Sequence, residues 1–306
     1  MCGIAGVMLD GKGEVGRLLI KMLEGLQHRG TDSAGVALFR SDEPPSDEYV
    51  IRVFTKDIVG ALGKVSTAIA QTGGDIRNIQ INTMKGYGFD TYLVKAELGR
   101  LAGIVEGINN TGLSKALSLG RKMEIVKDTT TADELDKRFN VSEFSGSHGI
   151  GHVRFSTESC VDLLHAHPFQ SFRYLDVALV HNGQITNYWR CRERLERKGV
   201  CFQTENDSEL IVHYLIEKLG EGNCLSEALR TSVEDLDGPF SYVISTGDEM
   251  GMVRDKLGLR PLVIIEGNGI RAVASEENAL RMVGGSGRIR NLRPGEVLCW
   301  GAKKRQ

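Results

Sequence analysis

The sequence predicts an α+β chain of two folding units, and three features carry that prediction. Short apolar strand runs are mixed with amphipathic helices through most of the 306 residues. From residue 50 onward one stretch has its own order of strand, helix, strand, strand, helix, strand, the split βαβ ferredoxin-like pattern. A charged, proline-containing break, "RSDEPPSDE", leads into it. The expected organisation is one discontinuous domain, residues 1–49 with 119–306, and an inserted module, residues 50–118.

"CGIAGVML" is a continuous run of small and apolar residues and predicts a buried strand. "EVGRLLIKMLEGLQHRG" predicts a helix, with Val15, Leu18, Leu19, Met22, Leu23 and Leu26 on one face and Gly30 as its stop. "SAGVALF" returns as a strand. In the module, "YVIRVFT" alternates as a strand, and "GALGKVSTAIAQTGG" sets Ala61, Leu62, Val65, Ala68 and Ile69 at helical spacing. "DIRNIQINTM" and "FDTYLVKAEL" are strands joined by the turn "KGYG". "RLAGIVEGINNTG" is the second helix, and "KMEIVKDTT" reads as the final strand of the pattern. A short helix follows at "TTTADELDKRF". Later helices are expected at "NYWRCRERLERKG", "NDSELIVHYLIEKLG" and "LSEALRTSVEDL", and strands at "SYVIST", "GMVRD", "PLVIIEG" and "IRAVAS".

A formal net charge of −2 gives no electrostatic case for nucleic acid or an anionic membrane. No apolar run reaches the length of a membrane span, and the start lacks the basic and long apolar regions of a signal peptide. The six cysteines show no paired spacing, which argues against a disulfide framework or a zinc ribbon. A cytoplasmic protein is expected.

Cys2 is the first candidate for chemistry. Taken alone, it reads as a small hydrophobe in a strand. A methionine before a small residue is easily removed, however, and Cys2 would then carry both a thiol and a free α-amine. That amine has a reference pKa of about 7.7–8.0, so it can serve as the base for its own side chain. Arg154 stands at the end of a strand-like segment in "GHVRFST", and Asn182 and Gly183 follow an apolar strand in "LVHNGQITN". Asp207 opens a helix in "TENDSELI". Each motif alone reads more readily as a surface arginine, an Asn-Gly turn or a helix-start acid. His148, His152, His165, His167 and His181 lie close in sequence and leave a metal-dependent hydrolase as an alternative, although no acidic ligand set accompanies them. "GGSGRIR" follows a helix and opens none, so it does not read as a phosphate cradle.

The ordered set "MCGIAGV", "HRGTDSAG", "GHVRFSTES", "HAHPF", "LVHNGQITN", "TENDSELI" and "RDKLGLRPL" with "VASEENAL" resembles the glutaminase domain of class II, N-terminal-nucleophile glutamine amidotransferases. The resemblance covers roughly Cys2 to Phe39 and Leu119 to Gly295. It implies a four-layer αββα sandwich with glutamine as substrate. It makes Cys2 the nucleophile and Asn182 with the Gly183 backbone the oxyanion hole. Arg154 would pair with the substrate α-carboxylate, and Asp207 with its α-ammonium. Thr157 and His167 become pocket residues, "STESCVDLLHA" the mobile glutamine loop, and Arg29, Asp32 and Arg260 braces. No cofactor is expected in this chain. It shows no adenylation loop, phosphoribosyltransferase acid pair, sugar isomerase domain or iron–sulfur cysteine set. The chain thus looks most like the stand-alone glutaminase subunit of split glutamate synthases and N-methylglutamate synthases, delivering ammonia to a flavin-containing synthase subunit. "TKDIVGALGKVSTAIAQTGGDIRNIQIN" resembles the first half of an ACT-type regulatory domain, which implies docking, homo-oligomerisation or effector binding through residues 50–118. A catalytically silent amino-acid sensor is the second class of reading, and the intact Cys2, Arg154, Asn182 and Asp207 set speaks against it.

Overall fold

The computed structural model describes residues 2–301 apart from 85, 157–159, 268, 285 and 286. The chain opens with β1 (Gly3–Gly13), α1 (Val15–Gly25) and β2 (Ser33–Phe39). β3 (Glu48–Lys56), α2 (Ala61–Gln71), β4 (Asp75–Gln80), β5 (Thr83–Met84), β6 (Tyr87–Lys95), α3 (Leu101–Asn110) and β7 (Ser114–Gly120) follow. Next come β8 (Met123–Asp128), α4 (Ala132–Phe139), β9 (Gly146–Arg154), β10 (Phe169–Gln170), β11 (Ala178–Gly183), α5 (Tyr188–Arg197), α6 (Asp207–Gly220) and α7 (Leu225–Asp235). The chain closes with β12 (Phe240–Ser245), β13 (Glu249–Arg254), β14 (Val263–Gly267), β15 (Ile270–Ala274), α8 (Glu277–Arg281), β16 (Arg290–Asn291) and β17 (Val297–Gly301). No helix among the described residues is long and apolar enough to cross a membrane.

Two compact units result: Met1–Ser41 with Val126–Ser171 and Val177–Gln306, and Asp42–Ile125 with Phe172–Asp176. The first unit holds a seven-stranded sheet in the order β16-β14-β15-β1-β9-β2-β8 and a five-stranded sheet in the order β10-β11-β12-β13-β17. α1 packs on β1 and β9, with α4 and α8 beside it. β1 and β9 meet β11 and β12, and α6 and α7 cover the outer side of the second sheet. The layers therefore run helix, sheet, sheet, helix. β1 is central and its first six residues are all buried, which is why it reads as an unbroken apolar run. α1 buries Leu19, Ile20, Met22 and Leu23 on one face, at about 1.5–3 kcal/mol per side chain as an upper estimate.

The second unit has sheet order β4-β6-β3-β7, all pairs antiparallel, with β5 on β6. Val65 and Ile69 of α2 and Ile104, Val105 and Ile108 of α3 pack with Tyr49, Ile51, Val53 and Tyr92 of the sheet. Two differences from the sequence reading stand out. The strand following α3 in this sheet is β7, "SKALSLG", a segment the sequence reading left unassigned. Its serines and exposed Lys115 interrupt the apolar pattern that would have marked it. "KMEIVKD", read as the final strand of the module, is β8 and joins the seven-stranded sheet instead. The unit also extends to Asp42–Ile125, wider than 50–118, and takes in Phe172–Asp176 from far along the chain. There Phe172 and Leu175 pack on its core, and the Asp176 carboxylate accepts the backbone N–H groups of Arg121, Lys122 and Met123 at 2.8, 2.9 and 2.9 Å.

Candidate active site

Strand ends of the first unit build the site. Cys2 immediately precedes β1, whose Gly3 lies opposite Val153 of β9. Arg154 ends β9 opposite Ser33, the first residue of β2. β11 ends on Asn182 and Gly183. The Cys2 thiol donates to the Phe155 carbonyl at 3.6 Å. The Cys2 carbonyl accepts from Arg29 Nε at 2.8 Å and from Asn182 Nδ2 at 3.1 Å. Arg29 Nη1 also pairs with Glu276, whose other oxygen is 3.0 Å from His28 Nε2. Burial works against the Glu276 carboxylate, but Arg29 and His28 outweigh it and hold its pKa below the usual range. The turn at Gly30 lies directly on the strand end, since a Cβ there would be 2.3 Å from the Arg154 carbonyl carbon. This approach lets Asp32 N–H reach the Arg154 carbonyl at 3.0 Å and Asp32 Oδ2 accept the Ser156 N–H at 2.7 Å.

Arg154 is buried, and its guanidinium donates to the Cys160 carbonyl at 3.0 Å and to Ser156 Oγ at 3.3 Å. Gly183 has φ +138°, and a Cβ would fall 2.1 Å from the Pro239 carbonyl, so no other residue fits. Asn206 caps α6 by accepting the Ser208 N–H at 2.9 Å, which sets Asp207 in the first turn. Asp207 Oδ2 accepts the Ile185 N–H at 3.0 Å, and Oδ1 is 3.4 Å from His181 Nδ1. Burial alone would raise the Asp207 pKa, but His181 and the backbone donors Ile185 and Ser208 bring it below the ordinary value. Gly183 and Asp207 line an open cleft of about 650 Å³ together with Cys160, His165, Ile185 and Glu205. Cys2 and Arg154 are not among the described residues that line it. A larger groove of about 840 Å³ beside Glu266, Arg288 and Arg293 contains none of the predicted site residues.

His167 is buried, with Nε2 sharing a hydrogen bond with Ser208 Oγ at 2.8 Å. The same hydroxyl is 3.0 Å from His181 Nδ1, so Ser208 links two histidines one residue beyond Asp207. His152 stacks on His167 with ring centres 4.0 Å apart and bonds to the His181 carbonyl at 3.1 Å. Burial pushes the His152 pKa down to about 3 and carries His167 well below its ordinary value. His148 bonds to the Thr246 carbonyl at 2.8 Å, and His165 Nδ1 is 2.8 Å from Asp162. Among the described residues no group of three or more His, Cys, Asp or Glu side chains could hold a metal ion. Thr157 lies outside the described residues. Sequence reading did not single out Lys127, Ser208 or Glu276. Lys127 is buried on β8 and donates to the Ala166 and Pro168 carbonyls at 2.7 and 3.3 Å, one on each side of His167. "MEIVKD" also carries Glu124 and Asp128, so nothing in the sequence sets Lys127 apart from its charged neighbours.

A family model described as a glutamine amidotransferase domain matches residues 152–282. A putative glutamine amidotransferase of Methanothermobacter thermautotrophicus is 42% identical over 300 residues, covering 97% of this chain and 98% of that protein. The glutamine amidotransferase-like protein GlxB of Rhizobium meliloti is 33% identical over 309 residues, covering 99% of each chain. Among solved structures, the B. subtilis glutamine phosphoribosylpyrophosphate amidotransferase complexed with ADP and GMP shares the fold, with a TM-score of 0.64 at 23% identity. The match covers 98% of this chain and 47% of that one. With near-complete coverage of relatives above 30% identity, this chain belongs to the class II glutamine amidotransferases.

Proposed function

We propose that this amidotransferase acts as a glutaminase subunit, hydrolysing L-glutamine to glutamate and ammonia through a thioester on Cys2. The α-amine freed by removal of Met1 takes the thiol proton, and the sulfur adds to the side-chain amide carbonyl. Asn182 Nδ2 and the Gly183 N–H hold the oxyanion, the α-ammonium returns the proton, and ammonia leaves. Water then attacks the γ-glutamyl thioester, regenerating the thiol and releasing glutamate. Asp207 binds the substrate ammonium. Arg154 binds its carboxylate after exchanging the Cys160 and Ser156 contacts for it. Thr157 and His167 complete the pocket.

The observation that carries this reading is the convergence of Asn182 and Arg29 on the Cys2 backbone, with Gly183, the neighbour of Asn182, and Asp207 on one cleft wall. The decisive experiment is intact mass spectrometry after treatment with a glutamine-like electrophile. One label on a protein lacking Met1, lost in Cys2→Ala together with glutaminase activity, is the expected result. Full activity with Met1 retained would overturn it. Asn182→Ala should lower kcat by about 10²–10³-fold with little change in KM, and an unchanged kcat would refute its oxyanion role.

The acceptor of the ammonia is proposed to be a flavin-containing synthase subunit of the glutamate synthase type, in the cytoplasm. Residues 50–118 are proposed as a ferredoxin-like, ACT-like module that docks this partner or a second copy of the chain. The support is the motif resemblance and the strand order of the second unit.

A further inference from the structure

The second unit holds a buried polar row outside the glutamine cleft. Thr55, Asp90 and Ser114 are 3%, 4% and 3% exposed. Thr55 Oγ1, Asp90 Oδ1 and Ser114 Oγ have no hydrogen-bond partner among the described residues. Sheet register aligns them. Thr55 of β3 stands directly opposite Ser114 of β7 on one side and Gly88 of β6 on the other. Gly88 contributes no side chain, and the Asp90 carboxylate leans over that gap. Its Oδ1 and Oδ2 are 3.3 and 3.2 Å from where a Gly88 Cβ would stand.

The chemistry of the row is specific. Directly opposed positions in an antiparallel pair are about 4.5–5.5 Å apart at Cβ. Neighbouring oxygens in such a row can be bridged by one small species between them. Asp90 accepts the Asn82 backbone N–H, and its pKa is raised by burial first and by nearby Asp57 second. A water molecule would satisfy lone pairs but bring no positive charge to hold Asp90 in its ionised form against burial. One carboxylate is too little charge for a divalent ion, which collects several. Hydroxyl and carboxylate oxygens together are acceptors for a compact donor with one positive charge.

We propose that the Thr55–Asp90–Ser114 row binds an ammonium ion. Ammonium supplies N–H donors to all three oxygens and one charge to Asp90. It is also the protonated product of the proposed glutaminase reaction, so the row would let the second unit respond to product. Binding is read without turnover, so this proposal and the glutaminase reading fail separately.

The test is calorimetric titration of the intact chain with ammonium, potassium or sodium chloride, at ionic strength held constant with choline chloride. A saturable ammonium signal, weaker for potassium and sodium and lost in Asp90→Asn, is expected. Thr55→Val keeps the side-chain volume and should weaken binding by about tenfold or more, the loss of one hydrogen bond to a charged group. It also serves if Asp90→Asn does not fold. No saturable signal with any salt would mean the row holds water and overturns the proposal. Potassium binding as tightly as ammonium, or ammonium binding unchanged in the folded variants, would overturn it as well.

Discussion

At the scale of single residues, Gly183 and Asp207 carry the sharpest expectations. Gly183 combines a left-handed backbone with a neighbouring carbonyl 2.1 Å from where a Cβ would sit. Gly183→Ala should therefore cost at least about 1–3 kcal/mol from backbone strain, with more from the clash. Denaturant midpoints with an unchanged slope would report it, and kcat should fall because Asn182 sits on the same strand end. Asp207 has a folded pKa below its unfolded value of about 3.9. Its contribution to stability is thus complete above that value and is lost as pH falls through the folded one. Asp207→Asn should be less stable than the parent at neutral pH, the gap closing below about pH 4. The same variant should raise KM for glutamine more than it lowers kcat. A gap independent of pH would mean that the carboxylate charge is not what Ile185 and His181 recognise.

At the scale of elements, what could be read from sequence followed from how each element is buried. β1, α1, β2, α6 and α7 present unbroken or cleanly periodic apolar residues, and each lies in the structure where the sequence placed it, except that α1 ends at Gly25, with a 3-10 turn at Gln27–Arg29 before the expected stop at Gly30. Arg154 at the end of β9, Asn182 near the end of β11 and Asp207 at the start of α6 stand at the element ends where the sequence put them. β7 was not legible, since Ser114 and Ser118 are polar residues buried by tertiary contacts. Partnership was illegible for the same reason. Nothing local says that Ser208 links His167 to His181, or that Glu276 holds Arg29. Lys127 belongs to this class. Burial lowers its pKa to about 8, while Glu209 and Asp162 pull the other way. Above that pH the folded chain has released a proton that the unfolded chain holds until about 10.4. Stability should then rise with pH across this window, by up to about 1.4 kcal/mol per unit. Lys127→Met should abolish the rise in denaturation midpoint between pH 8 and pH 10. It should also loosen the Ala166–Pro168 segment that positions His167. A parallel rise in both proteins would assign it to other groups.

At the scale of the whole molecule, the inserted module is the feature that a simple excision would misjudge. The second unit has its own core and its own sheet, which is the ordinary condition for independent folding. Yet removing residues 42–125 leaves Phe172, Leu175 and Asp176 behind in the remaining chain. Phe172 and Leu175 would lose the core they pack on, and Asp176 the three N–H donors from Arg121, Lys122 and Met123. Two stranded apolar side chains and a carboxylate without its donors invite aggregation for reasons unrelated to function. The informative variant therefore joins Ser41 to Val126 through a short Gly-Ser linker and changes Phe172 and Leu175 to serine. That protein should unfold cooperatively and still take a glutamine-like electrophile on Cys2, since the first unit supplies every described residue proposed for the chemistry. It should lose association with a synthase partner, or with itself, measured by sedimentation at matched concentrations. It should also lose the ammonium titration, because Thr55, Asp90 and Ser114 are gone. Undiminished assembly would refute the docking role of the module. Loss of Cys2 labelling would show instead that the first unit does not reach its working structure alone.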